Sequence, residues 1–333
     1  MAPFFWIIDE EWADYRYETD FLSRRFPGCT IRHSGYDCKE DLEDFGGRVD
    51  IILAQVYASI PKSMIDRLER CRGIAVYGGG FDRVDIEAAG GKGIMVTNVQ
   101  GYCAADIADY VMAAVYRDNK KLDRYCAGLQ NGRWGAAAVP RLMHRIENCT
   151  LLVYGFGRIG STVAEKAFRS GMRVLGYDPL VDESTMRKYG AQKTDLASGL
   201  AQADYVSVHV NLCGATRHLI SKKDFDRMKP GAYLINTSRG AVIQEEDLMR
   251  AVESGRLSGA ALDVIAHEPP DGDEKIFHCG NIVVTPHVSY LSQESFQELK
   301  KRTVDNAAAM LSGREPADLV NREAFVPRGP SAG

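Results

Sequence analysis

The chain has no long apolar run: nowhere in its 333 residues does a stretch approach the roughly 20 apolar residues that a membrane-spanning helix needs. Its first apolar segment, Phe4 to Ile8 in "MAPFFWIIDEEW", has no basic start before it and meets carboxylates at once. It reads as a first β-strand, not as a secretory signal. Paired cysteines are missing as well. Cys29, Cys38, Cys71, Cys103, Cys126, Cys149, Cys213 and Cys279 lie scattered without CxxC spacing. Neither a zinc site nor a disulfide framework is indicated, so no metal is expected, and reduced thiols in a cytoplasmic protein are the simpler account. Nor is there an excess of positive charge. With 41 Lys and Arg against 45 Asp and Glu, the formal net charge is −4. That gives no general attraction for nucleic acid or anionic lipid. Apolar residues at 45% and charged residues at 26% set the balance of a soluble globular protein, long enough for two domains with a core each.

What the chain does have is alternation. Short β-branched or apolar runs exchange with helical patterns along most of its length, the signature of parallel sheets built from βαβ units. A first series places strands at Phe4–Ile8, Cys29–Arg32, Asp50–Leu53, Gly73–Val76 and Ile94–Thr97. Between them, "PKSMIDRLERC" predicts a helix with Pro61 in its first turn. A long helix is predicted over Ala104 to Leu129, followed by the glycine- and alanine-rich "NGRWGAAAVPRL". A second series opens at Thr150 with "TLLVYGFGRIG", "MRVLGYDP", "ADYVSVHV", "GAYLINTS", "GAALDV" and "NIVVTPH". The domain change is placed near Gly101. A last helix, Gln293 to Leu311, comes after the second sheet is finished, which allows it to return to the first domain. Residues 326–333 read as a disordered tail.

The second series opens on Gly155-Phe156-Gly157-Arg158-Ile159-Gly160, set between a strand and a helix, with Asp178 about 20 residues on at the end of the next strand. The first glycine permits the tight turn, the second a close backbone approach to a diphosphate, and the third close packing of helix on strand. The helix amino terminus, with its unpaired N–H groups, receives the anion. Asp178 would bind the adenosine ribose and repel a 2′-phosphate, and no cation follows it in "PLVD", which favours NAD over NADP.

Three more residues stand at the ends of later strands of this series: Arg239 in "NTSRG", Glu268 in "ALDVIAHEPP" and His287 in "TPHVSY". Carboxyl ends of strands in an open α/β sheet face the ligand crevice, so the three side chains can converge there.

With these motifs in their order and spacing, almost the whole chain resembles the D-isomer-specific 2-hydroxyacid dehydrogenase family. "YGFGRIG", "LINTSRGAVIQEEDL", "SGAALDV", "EPP", "TPH" and the N-terminal "IAVYGGGFDRVDIEAAGGKGIMVTNV" carry the likeness, and "GYCAADIAD" resembles the subgroup of C-terminal-binding-protein relatives and bacterial hydroxyacid reductases. The resemblance implies two parallel-sheet α/β domains, Rossmann-like and flavodoxin-like. One is a discontinuous substrate domain, 1–100 with 291–325; the other is an inserted NAD-binding domain, 101–290, and their cleft would close on the substrate. It implies NAD-dependent reduction of a small 2-keto acid to the D-2-hydroxy acid, reversibly. Arg239 would bind substrate carboxylate and carbonyl, His287 would exchange the proton, and Glu268 would pair with that imidazole. Gly78, Gly79 and Gly80 would hold the substrate carboxylate. Gly155, Gly157, Arg158, Ile159, Gly160, Asp178, Thr237 and Asp263 would contact the cofactor. The long helix, with Ile107, Val111, Ala114, Val115 and Leu122, and the arm bearing Trp134 would form a homodimer interface.

The chain also departs from the family. Asn211 and Cys213 replace the usual proline and threonine of the adenine-side loop, and Val76, Gly79 and Arg83 replace the more common arginine, larger aliphatic and asparagine. Two other readings share the motifs: an NAD(H)-sensing, corepressor-like binding protein, and a phosphoglycerate- or hydroxypyruvate-type dehydrogenase.

Overall fold

Five strands form the first sheet, β1 (Phe4–Ile8), β2 (Thr30–Ser34), β3 (Ile51–Gln55), β4 (Gly73–Tyr77) and β5 (Met95–Thr97), all largely buried except the polar edge strand β2. In the computed structural model, which describes residues 2–138 and 142–326, they lie parallel in the order β2-β1-β3-β4-β5. That is the flavodoxin-like order, with the strand order reversing at the β1/β3 junction. β3 and β4 are buried along their whole length, as a sheet covered on both faces requires. Trp6, Ile8, Ile52, Ile74 and Val76 fill one side of it.

The second sheet holds β6 (Thr150–Tyr154), β7 (Arg173–Tyr177), β8 (Ala191–Lys193), β9 (Tyr205–Val208), β10 (Ala232–Asn236), β11 (Leu257–Leu262) and β12 (Ile282–Val284). Its order is β12-β11-β10-β9-β6-β7-β8, all parallel: a doubly wound sheet with one strand added. The switch point falls between β6 and β9, the place where sheets of this kind take their ligands beyond the strand ends. Leu152, Val206, Leu234 and Ala260 are among the buried residues of the core beneath it.

By contacts the chain divides into two units, one drawing on residues up to Tyr102 and from Ser292 onward, the other spanning Cys103–Leu291. The helix Gln293–Leu311 packs on β3, β4 and β5 within the first unit. Lys300 on that helix is buried; its ammonium donates to the Asp14 carbonyl (2.8 Å) and to the buried Glu18 carboxylate (3.2 Å). A buried pair that loses one partner costs about 3–5 kcal/mol, so this contact binds the two ends of the discontinuous unit together.

Three local expectations need correction. The single helix expected over Ala104–Leu129 is two, Ala104–Lys120 and Leu122–Gln130, because Lys121 sits in the left-handed region at φ 51° while its N–H still closes the first helix on the Arg117 carbonyl. The helix expected from Pro61 is one turn, Lys62–Ile65, with Pro61 at its cap. β8, only three residues long and polar in part, has no counterpart among the expected strands. No helix among the described residues is long and apolar enough to cross a membrane. The tail expected over 326–333 lies, apart from Val326, outside the described residues.

Candidate active site

β6 delivers the chain to Gly155, whose φ of +92° an L side chain rarely adopts. A Cβ there would sit 2.7 Å from the His209 carbonyl oxygen, and one at Gly160 would sit 2.1 Å from the Gly155 oxygen. The turn is therefore closed on the protein side. At Gly157 a Cβ would meet nothing within 4 Å, and Gly157 and Arg158 are exposed where the helix Arg158–Arg169 begins. A backbone open at that point, at a helix amino terminus, fits a diphosphate. Asp178 follows the tip of β7, next to β6. Its Oδ2 accepts from the Phe156 N–H (2.9 Å) and its Oδ1 from the Leu180 N–H (2.8 Å), which fixes the carboxylate beside the glycine turn.

On the other side of the switch point, β10 ends at Asn236, fully buried. The Asn236 side chain accepts from the Ser238 N–H (3.0 Å) and hydroxyl (2.7 Å) and donates to the Arg239 carbonyl (3.0 Å). This knot shapes the turn that carries the half-buried Arg239, and the sequence reading passed over it. Arg239 donates from Nη1 to the Ser238 carbonyl (2.9 Å). Beside Asn236, the Thr237 hydroxyl is buried with no hydrogen-bond partner in the protein. Buried hydroxyls are rarely left so, and this one fits an absent ligand at the strand end.

β11 runs into Asp263 and on to Glu268, and β12 into Thr285, Pro286 and His287. Glu268 accepts the Ile265 N–H at Oε1 (2.9 Å), which turns Oε2 to within 3.0 Å of His287 Nδ1. Both side chains are mostly buried, at 12% and 16% exposure, so their attraction is little screened. His287 stands in the left-handed region at φ 54°. Asp263 is wholly buried, and all its bonds from the following loop point at the histidine segment: its carboxylate accepts from the Thr285 hydroxyl and the Val288 and Ser289 N–H groups.

Arg239, Glu268 and His287 thus stand beyond three neighbouring strands, with Glu268 and His287 in direct contact. His209, at the end of β9 and unremarked in the sequence, also belongs to this edge; burial pushes its imidazole down to about 3, and its Nε2 lies 2.8 Å from the Ser207 hydroxyl. In the adenine-side loop the Thr216 hydroxyl accepts from the Cys213 N–H (2.8 Å) and donates to the Asn211 carbonyl (2.6 Å), which ties the loop without the family's proline.

In the other unit, Gly78 has φ +134°. Its carbonyl accepts from the Val99 N–H (2.8 Å), and that of Gly79 from the Asn98 side chain (2.7 Å). The loop's orientation is fixed through its carbonyls. Arg83 donates to the Tyr57 carbonyl (2.9 Å) and lies over the Tyr57 ring, while Val76 is a core residue of β4.

Residues 111–289 match the D-isomer specific 2-hydroxyacid dehydrogenase, NAD binding domain family. A glyoxylate reductase of Korarchaeum cryptofilum is 35% identical over 286 residues, 84% of this chain and 83% of that protein. A hydroxypyruvate reductase of Thermotoga maritima is 31% identical over 77% of this chain and 83% of its own. The structure of a D-lactate dehydrogenase from Aquifex aeolicus, complexed with NAD and lactic acid, superposes with a TM-score of 0.85 at 26% identity, covering 98% of this chain and all of that one.

Proposed function

Since the chain belongs to the D-isomer-specific 2-hydroxyacid dehydrogenase family and is accordingly an NAD-dependent dehydrogenase, we propose that it reduces a small 2-keto acid, of the size of glyoxylate or hydroxypyruvate, to the D-2-hydroxy acid and catalyses the reverse oxidation. The observation that carries this reading is the His287–Glu268 pair, 3.0 Å apart, with Arg239 at the neighbouring strand end. NAD, held at the glycine turn, would supply the hydride to substrate C2 or take it up in the reverse direction. The remaining work falls to the chain. Reduction builds negative charge on the carbonyl oxygen, which the Arg239 guanidinium stabilises while engaging the carboxylate. During reduction His287 gives its Nε2 proton to that oxygen, while Glu268 accepts from Nδ1–H and fixes the ring. Arg158, Ile159 and Thr237 serve the cofactor with the glycine turn, and Asp178 selects NAD over NADP. Cysteines that form no disulfide among the described residues support a cytoplasmic setting.

The test is oxidation of NADH, and of NADPH in parallel, by the purified protein with a panel of 2-keto acids. NADH-dependent turnover of at least one small 2-keto acid is expected, with NADPH clearly poorer, and His287→Asn should abolish it while NADH still binds. A protein that binds NADH but leaves the panel untouched would favour the dinucleotide-sensing reading. Equal use of NADPH would remove the role given to Asp178.

A further inference from the structure

We infer that Tyr110, on the helix Ala104–Lys120, is a positioning residue for His287, acting through Thr285 and Asp263; the inference rests on His287 being the proton donor proposed above. The Tyr110 hydroxyl lies 2.6 Å from Thr285 Oγ1, and Thr285 Oγ1 lies 2.7 Å from Asp263 Oδ1. A threonine hydroxyl has a single proton and an ionised carboxylate only accepts. The threonine proton therefore goes to Asp263, and the phenol must be the donor to Thr285. The chain of bonds has one direction: Tyr110 to Thr285 to Asp263.

What this chain holds is a strained segment. His287 occupies left-handed backbone space, which costs a non-glycine residue on the order of 1–3 kcal/mol unless its surroundings enforce it. Enforcement comes from Asp263. The His287 N–H donates to the Asp263 and Thr285 carbonyls (2.9 Å each), and the next two N–H groups, of Val288 and Ser289, donate to the Asp263 carboxylate (2.9 and 2.8 Å). Three successive backbone donors thus converge on one fully buried aspartate. Its charge is carried by the N–H groups and by Thr285, whose hydroxyl is made a better donor by accepting from Tyr110. Without the phenol, Oδ1 keeps the Val288 N–H but is left with a weaker Thr285 bond. The carboxylate can then rotate, the clamp loosens, and His287 drifts from Glu268. Helix, β12 and β11 are joined at this point, although the residues are far apart in sequence.

The test uses Tyr110→Phe, Thr285→Val and Thr285→Ser in the full-length protein. It reads amide hydrogen exchange at His287, Val288 and Ser289, together with kcat, KM and the NADH dissociation constant. Losing one hydrogen bond of the chain in Tyr110→Phe should speed exchange at these amides by roughly 5- to 10-fold, and losing both in Thr285→Val by at least as much. Turnover should fall about tenfold, with KM and NADH binding within about twofold, because the histidine and not the binding surface has moved. Thr285→Ser keeps both bonds and should behave as wild type. The positioning role is overturned if Tyr110→Phe and Thr285→Val keep wild-type exchange, if exchange quickens with kcat unchanged, or if Thr285→Ser is as impaired as Thr285→Val. Should wild type reduce no keto acid, the proposed function fails, while the exchange rates still decide whether the bond chain holds the segment. Should Tyr110→Phe not fold, the Thr285 pair decides alone.

Discussion

At the scale of single residues, the site depends on the geometry of its groups more than on their charge. The Asn236 knot sets the Arg239 backbone, and the side chain presents a planar fork that can meet carboxylate and carbonyl together. Lysine keeps the charge and loses the fork. Arg239→Lys should cut kcat/KM by about a hundredfold or more, on the scale of losing an oxyanion donor; near-normal turnover on the best substrate would show that the fork is not used. His209 offers a second test, through stability. Burial holds its imidazole neutral down to about pH 3, whereas in the unfolded chain it takes a proton near pH 6.5. Its contribution is whole above pH 6.5 and is lost as pH falls toward 3, at no more than ~1.4 kcal/mol per pH unit. His209→Gln removes that dependence. From pH 6.5 to 4.5 in urea unfolding, wild type should lose roughly 1–2 kcal/mol more than the variant; parallel curves would mean that His209 is not held neutral.

At the scale of elements, strands that are buried on both faces announce themselves. Runs such as Ile51–Gln55 and Ala232–Asn236 are apolar because no face meets water, and the functional residues just beyond their ends could be read from order alone. What stayed hidden depends on neighbours distant in sequence. Nothing local marks Lys121 as a left-handed break in a helical pattern, Ala191–Lys193 as a strand, or Tyr110 as the partner of Thr285. The glycine after Arg239 shows the same dependence. A Cβ at Gly240 would lie 1.9 Å from the Ile265 carbonyl carbon, in the segment whose N–H orients Glu268. Since backbone cannot yield as a side-chain tip does, Gly240→Ala should push the β11 exit away. A loss of stability of about 1–3 kcal/mol is expected, together with weakened catalysis. An alanine variant with wild-type melting temperature and turnover would show that the contact is not as close in solution.

At the scale of the whole molecule, association is the remaining expectation, and its surface must be redrawn. Ile107, Val111, Ala114 and Val115, which the helical spacing offers as a partner face, are buried within the chain, where the helix Ala104–Lys120 packs on the helix Arg158–Arg169. They are spent on the fold and cannot face a second subunit. The next segment differs. Leu122, Leu129, Trp134 and Leu142 are exposed, Trp134 at 82% and Leu142 at 86%. Four large apolar side chains exposed within one stretch of sequence are the mark of an interaction surface. A second copy of the chain supplies the same surface, and two-fold pairing lets each side chain meet its own kind of neighbour, the commonest way in which soluble chains assemble. We therefore propose a homodimer built on Leu122, Leu129, Trp134 and Leu142. Sedimentation equilibrium at micromolar concentration should give twice the chain mass. Leu129→Glu with Trp134→Glu should give the single mass while circular dichroism stays native, because these side chains stabilise little in the monomer and a buried carboxylate at the interface is costly. A wild-type monomer at that concentration would refute the assembly, and a double variant that remains dimeric would place the interface elsewhere on the molecule.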